Sequence, residues 1–191
     1  IDGCMIMSLL ELYKVTDNKK YFDFAEKYID HRIEEDGTIV GYKKEELNLD
    51  NINEGKNLFT LYDLTGKEKY AKATEKIYQQ ILEMPRTKEG NFWHKMIYPH
   101  QVWLDGLYMA QPYYMEYEKR FNNRKNYKDI YNQFFNVEKN QRDPETGLYY
   151  HAYDSEKKMF WADPETGLSK NFWLRALGWF SMALLDTLSI A

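Results

Sequence analysis

Leu12-Tyr13-Lys14-Val15-Thr16-Asp17-Asn18-Lys19-Lys20-Tyr21 returns 49 positions later as Leu61-Tyr62-Asp63-Leu64-Thr65-Gly66-Lys67-Glu68-Lys69-Tyr70. The Leu-Tyr, Thr and Lys-Tyr landmarks keep their spacing in both copies. Asp2-Gly3, Gly55 and Asp105-Gly106 open successive apolar segments at nearly the same interval. A period of this size marks a repeated supersecondary unit, and here the unit reads as a helical hairpin. Its first helix is apolar nearly all round: Met5 to Val15, Asn57 to Leu64, and Leu107 to Tyr117. A polar turn follows, then a helix with one apolar stripe. In the second unit the stripe is Tyr70, Ala73, Thr74, Ile77, Tyr78, Ile81 and Leu82; in the third it is Tyr127, Ile130, Tyr131, Phe134 and Phe135. The first helices are expected to be buried and the second ones half exposed.

Stacked hairpins close into a toroid or run on as an open solenoid. The long aromatic and glycine-bearing connections before each inner helix favour the toroid, with function at the end where they converge. One connection differs. Asp143-Pro144-Glu145-Thr146-Gly147-Leu148 recurs as Asp163-Pro164-Glu165-Thr166-Gly167-Leu168 around two alternating aromatic runs. This predicts an inserted β-hairpin near 148–162.

With 191 residues the chain can bury the core of a single domain, taken here as 1–191, and its net charge is only −4. Neither nucleic-acid binding nor membrane insertion is expected. Cys4 is the only cysteine, so no intrachain disulfide forms and a reducing, cytoplasmic compartment is favoured. Aromatic residues make up 17% of the chain, enough to line a groove for sugars as well as a core. Both ends fall within apolar helical patterns and look cut. About four hairpin positions are represented, so apolar faces are expected at both ends, leading to aggregation, to self-association through them, or to a place within a longer polypeptide.

Two aspartates precede inner helices at equivalent places, Asp50 in Asn48-Leu49-Asp50-Asn51 and Asp105 in Val102-Trp103-Leu104-Asp105-Gly106. Each is either a helix cap or a functional carboxylate facing a common mouth. Trp103, Leu104, Leu107 and Tyr108 surround Asp105 in sequence, and such desolvation raises a carboxyl pKa and leaves it able to donate a proton. Arg175, in Phe172-Trp173-Leu174-Arg175-Ala176, reads as a buried cation that needs an anionic partner, either a protein carboxylate or a carboxylated ligand. Phosphate loops, Gly-x-Ser-x-Gly elbows and His-Glu-x-x-His motifs are absent from the sequence.

The stretch Tyr98-Pro99-His100-Gln101-Val102-Trp103-Leu104-Asp105-Gly106-Leu107-Tyr108-Met109 resembles the signature of the unsaturated rhamnogalacturonyl hydrolases, glycoside hydrolase family 105. So do Asp50-Asn51-Ile52-Asn53-Glu54-Gly55-Lys56 and Trp173-Leu174-Arg175-Ala176-Leu177-Gly178-Trp179. The resemblance implies an all-α (α/α)6 barrel, only part of which is present. It implies Asp105 as general acid/base, Asp50 as the second essential carboxylate, and His151, Trp103, His94, Lys95, Arg175 and Trp179 as substrate-binding residues. The implied substrate is a pectin-derived oligosaccharide ending in a 4,5-unsaturated uronate, hydrated at its double bond, and no metal or organic cofactor is implied. The rivals are an unsaturated glucuronyl hydrolase of family 88, a noncatalytic carbohydrate-binding fragment, and an inverting hydrolase of saturated sugars.

Overall fold

The computed structural model describes residues 2–191. Its elements run α1 (Asp2–Thr16), α2 (Lys19–Asp30), α3 (Lys56–Thr65), α4 (Glu68–Glu83), β1 (Gln101–Trp103), α5 (Leu104–Phe121), α6 (Tyr127–Gln141), β2 (Ala152–Asp154) and α7 (Leu174–Ile190). The repeated threonine does the same work in both copies. Thr16 Oγ1 donates to Leu12 O at 2.6 Å and Thr65 Oγ1 to Leu61 O at 2.7 Å. Each hydroxyl then accepts the N–H two residues on, from Asn18 at 3.3 Å and from Lys67 at 3.2 Å. Asp17 and Gly66 take left-handed φ of 53° and 67° and return their N–H groups to Tyr13 and Tyr62. The helix therefore ends on an αL residue that satisfies orphan carbonyls, and the next helix starts at once.

The chain divides into two compact units, Ile1–Glu45 with Asn51–Leu82, and Glu46–Asp50 with Glu83–Ala191. In the first, the end of α2 is tied to the start of α4 by the repeat's Lys-Tyr pair. Asp30 Oδ1 accepts from Lys67 at 2.9 Å, Lys69 at 3.0 Å and Tyr70 at 2.8 Å. Lys69 is buried and also donates to the carbonyls of Asp30 and Ile33, both at 3.1 Å. Burial pushes the Asp30 carboxyl up, but the hydrogen bonds from Lys67, Lys69 and Tyr70 outweigh it and hold the group at about 2, against an ordinary 3.8. A depressed carboxyl stabilises the fold above its unfolded pKa, and that contribution is lost as pH falls through the folded value. Asp30→Asn is therefore expected to cost about 1.5–3 kcal/mol at neutral pH, the range for hydrogen bonds to charged groups. Thermal melts of variant and parent should converge as pH is lowered from about 4 to about 2, following the two pKa values. A gap that stays constant would remove the carboxylate from the account.

Sequence periodicity and burial disagree in four places. In α4 the stripe holds from Tyr70 to Ile81, but Leu82 is 52% exposed. In α6 the buried face is Ile130, Gln133, Val137 and Gln141, whereas Phe135 and Tyr131 are exposed. The reason is polar. Gln133 donates to Gly90 O at 3.0 Å and accepts from Phe92 N at 3.0 Å, and Gln141 donates to Tyr150 O at 3.1 Å. Loop backbone needs partners, so α6 turns these glutamines inward and leaves Tyr131 and Phe135 outward, while Phe134 packs on Phe180 at 6.2 Å. The expected burial of every inner helix holds for α5, where nearly every residue from Leu104 to Glu118 is buried. It does not hold for α1, where Met5 and Val15 are exposed, or for α7, where Leu174, Leu185 and Leu188 are exposed. These two helices pack by a single face within their units, α1 on α2 and α3, α7 on α5.

The inserted sheet is present with a different partner. β2 pairs antiparallel with β1, in the register Gln101↔Asp154, Val102↔Tyr153 and Trp103↔Ala152. Each Asp-Pro-Glu-Thr-Gly-Leu copy is itself a turn rather than a flank. Asp143 N donates to Leu148 O and Asp163 N to Leu168 O, both at 2.8 Å, with Gly147 and Gly167 at φ 74° and 83°. A Cβ on Gly167 would lie 2.4 Å from the carbonyl oxygen of Asp154, so only glycine fits that turn. The run expected to pair with 149–153 instead curls round the buried Asp154 carboxylate, which accepts from Glu156 N at 3.0 Å, Lys158 N at 2.7 Å and Met159 N at 2.8 Å. Among the described residues, no helix is long and apolar enough to cross a membrane.

Candidate active site

β1 delivers the chain to α5. Trp103 is extended, at φ −109° and ψ 139°, and Leu104 N donates to His151 O at 3.1 Å. Asp105 then lies in the first turn of α5, and the helix's capping position is Trp103, which makes no side-chain cap. Asp50 opens a 3-10 turn, Leu49–Gly55, and α3 begins after an uncapped Gly55. Neither aspartate is a helix cap, so the bland reading of both is set aside.

Asp105 is 4% exposed. Burial is the largest influence on its carboxyl and raises the pKa; Arg175 lowers it, Asp50 raises it and His151 lowers it. Arg175 Nη1 donates to Asp105 Oδ1. The expected burial of Arg175 is overturned: its side chain is 50% exposed while that of Asp105 is 5% exposed. Because Leu174 beside it is 85% exposed, the first turn of α7 stands in the open and Arg175 reaches inward from it. A guanidinium has five N–H donors, so this one still offers donors to a second anion.

Asp50 is held from the loop before β1. Asn48 bridges Lys95, Leu49 N donates to His94 O at 3.1 Å and Met96 N to Leu47 O at 3.2 Å. This ladder sets Asp50 Oδ2 2.6 Å from Lys95 Nζ and Oδ1 3.5 Å from His94 Nε2. His94 is 3% exposed. Burial pulls its pKa down to about 4 against the opposing charge of Asp50, so the ring is neutral at neutral pH. His94 stacks on Trp103 at 4.6 Å between centroids, and Tyr98 stacks on the same indole at 5.2 Å. Gly106 makes this fit possible, since a Cβ there would come within 3.0 Å of both His94 Nδ1 and Leu49 Cδ1.

His151 Nδ1 lies 2.9 Å from Asn171 O and 3.0 Å from Ser169 Oγ. A carbonyl only accepts, so Nδ1 carries a proton toward Asn171 O. Trp173 packs edge-on against this ring at 5.7 Å, and the Arg175 guanidinium sits 5.4 Å from the Trp173 ring. The structure thus gathers Asp105, Arg175 and His151 as one group and Asp50, His94, Lys95 and Trp103 as another, with the charges of Asp50 and His151 both felt at Asp105. Trp179, one turn along α7 from Arg175, packs on Tyr108 at 4.6 Å, one turn along α5 from Asp105. Tyr98, Trp173, Ser169 and Asn171 were not singled out from the sequence. Tyr98 and Trp173 lie inside the quoted motifs and had a signal there; Ser169 and Asn171 had none.

The sequence model of Glycosyl Hydrolase Family 88 matches residues 2–190. The chain belongs to that family. This family 88 chain is 26% identical over 194 residues to unsaturated rhamnogalacturonyl hydrolase YesR of Bacillus subtilis (strain 168), covering 98% of itself and 52% of YesR. A solved glycoside hydrolase from family 105 of C. acetobutylicum ATCC 824 is 53% identical with a TM-score of 0.96, covering 98% of this chain and 52% of that one. A possible family 105 member from Klebsiella pneumoniae subsp. pneumoniae MGH 78578, 23% identical, shares the fold at a TM-score of 0.82, over 99% of this chain and 47% of that one. The family 88 chain spans about half the length of these relatives. The resemblance to family 105 and the all-α, hairpin-built class of the α/α barrels both stand.

Proposed function

We propose that the protein releases a 4,5-unsaturated galacturonic acid from the non-reducing end of rhamnogalacturonan-derived oligosaccharides by hydrating the C4=C5 enol ether. The observation that carries this reading is Asp105, a buried carboxyl whose pKa is raised and which is held by a half-exposed arginine. Such a group is protonated more readily than an ordinary aspartate and donates as a general acid. Asp105 gives its proton to C4, leaving a cation at C5 shared with the ring oxygen. Water adds to C5 and returns a proton to Asp105, so the carboxyl ends as it began. The resulting hemiketal opens by breaking the bond between C5 and the ring oxygen, and C1 then expels the neighbouring sugar. One water is consumed and no enzyme nucleophile is needed.

Arg175, with donors left over after Asp105, is suited to the uronate carboxylate. His151, whose Nδ1 is tied to Asn171 O so that Nε2 faces away from that bond, and Asp50, held by Lys95, are suited to ring hydroxyls or the water. Trp103, His94 and Tyr98 form an aromatic wall beside Asp50. The YesR likeness supports the rhamnogalacturonan substrate. Sulfated glycosaminoglycan fragments would ask for further cations at the mouth, whereas Lys95 is paired with Asp50 and the spare donors of Arg175 are taken up by the uronate in this reading. The lone Cys4 supports a reducing, cytoplasmic setting. Lyase-treated rhamnogalacturonan should lose its enol-ether absorbance when the protein is added, while untreated polymer should release no sugar. Hydrolysis of the untreated polymer with the absorbance intact would refute the proposal.

A further inference from the structure

A cavity of about 10 Å³ is lined by Leu49, Phe92, Trp103, Gly106, Gln111 and His94 among others. That volume suits one water molecule, since a single water needs roughly 10–15 Å³ of this kind of space. Two buried polar atoms of its lining have no hydrogen-bond partner, Nδ1 of His94 and Oε1 of Gln111. Their residues are 3% and 1% exposed, so bulk solvent does not serve them. A buried polar atom left unpaired costs about 1–3 kcal/mol, which makes two in one small cavity an unfavourable arrangement unless something joins them.

The tautomer of His94 identifies what joins them. The ring is neutral and carries one proton. Asp50 Oδ1 is 3.5 Å from Nε2, and a carboxylate repels an unprotonated nitrogen lone pair, so the proton stays on Nε2. Nδ1 is then an acceptor, as is the Gln111 carbonyl oxygen. Two acceptors need a donor with two hydrogens, and the volume admits nothing larger than water. We propose that a buried water donates to His94 Nδ1 and Gln111 Oε1 together, making Gln111 a positioning residue that holds His94 with its Nε2–H toward Asp50. Gly106 belongs to the same device, because its missing Cβ is what leaves Nδ1 open to the cavity. The hydrogen bond on one imidazole nitrogen sets the state of the other, so a partner on Nδ1 fixes what Nε2 presents.

The test does not depend on the reaction proposed above. A high-resolution crystal structure of the unaltered protein should show a water about 2.7–3.2 Å from both atoms. A dry cavity, or a direct bond between Gln111 and His94, overturns the proposal. Gln111→Leu removes one acceptor while keeping a side chain of similar size that favours helix, and Gln111→Asn is the conservative partner. In ¹⁵N spectra with labelled histidine, the parent His94 should give the signature of a neutral ring protonated on Nε2. Gln111→Leu should weaken that preference, visible as a shift of the Nδ1 resonance, and Gln111→Asn should restore it in part. An unchanged Nδ1 resonance in folded Gln111→Leu counts against the water bridge, because a purely packing role for Gln111 would leave the tautomer untouched.

Discussion

Asp105→Asn is expected to lower turnover on unsaturated substrate by about 10²- to 10⁴-fold, the usual worth of one positioned acid/base, while the chain stays folded. The amide keeps the shape of the carboxyl and cannot release a proton to carbon. Its structural cost should be small for a reason visible in the ion pair. Arg175 is half exposed, so losing its carboxylate leaves a cation that water can solvate, not a buried charge without a partner. Turnover by absorbance and a thermal melt on the same sample separate the two effects. Near-parental turnover would take Asp105 out of the chemistry, and a collapse of the melt would mean the ion pair is structural.

Arg175→Gln should act in two directions at once. Binding of the uronate should weaken, with KM rising by about tenfold or more, because a charge-assisted hydrogen bond is worth about 1.5–3 kcal/mol. The pH dependence carries a sign as well. Arg175 is the largest influence holding the Asp105 carboxyl down against its burial, so removing the guanidinium raises that pKa further. An acid with a higher pKa keeps its proton to higher pH, and the alkaline limb of kcat should move up in the variant. A limb that moves down, or a KM that does not change, would contradict the pairing of Arg175 with both carboxylates.

The helices were legible because the hairpin is written twice with the same threonine, and Thr16 and Thr65 make the same two hydrogen bonds. The burial of Asp105 was legible because its apolar neighbours in sequence are its neighbours in the helix turn that buries it. The face of α6 was not, since Gln133 and Gln141 are buried for loop carbonyls and amides that lie 40 or so residues away or in the next connection. The partner of β2 was also hidden. Alternating aromatics at 149–153 and 158–162 describe two extended runs equally well, and the Asp154 carboxylate decides between them by gathering backbone N–H groups. The exposure of Arg175 depends on how much of α7 is covered, a tertiary fact that local hydrophobicity does not contain.

The bond from Leu104 N to His151 O has a mechanical consequence. It fastens the residue immediately before Asp105 to the backbone of His151, and the Trp103↔Ala152 pair fastens the next residue on each side. The turn that carries Asp105 and the segment that carries His151 are thus coupled through backbone alone. The distance between the two backbones is therefore gauged by strand pairing and one hydrogen bond, independently of how the connections beyond them run.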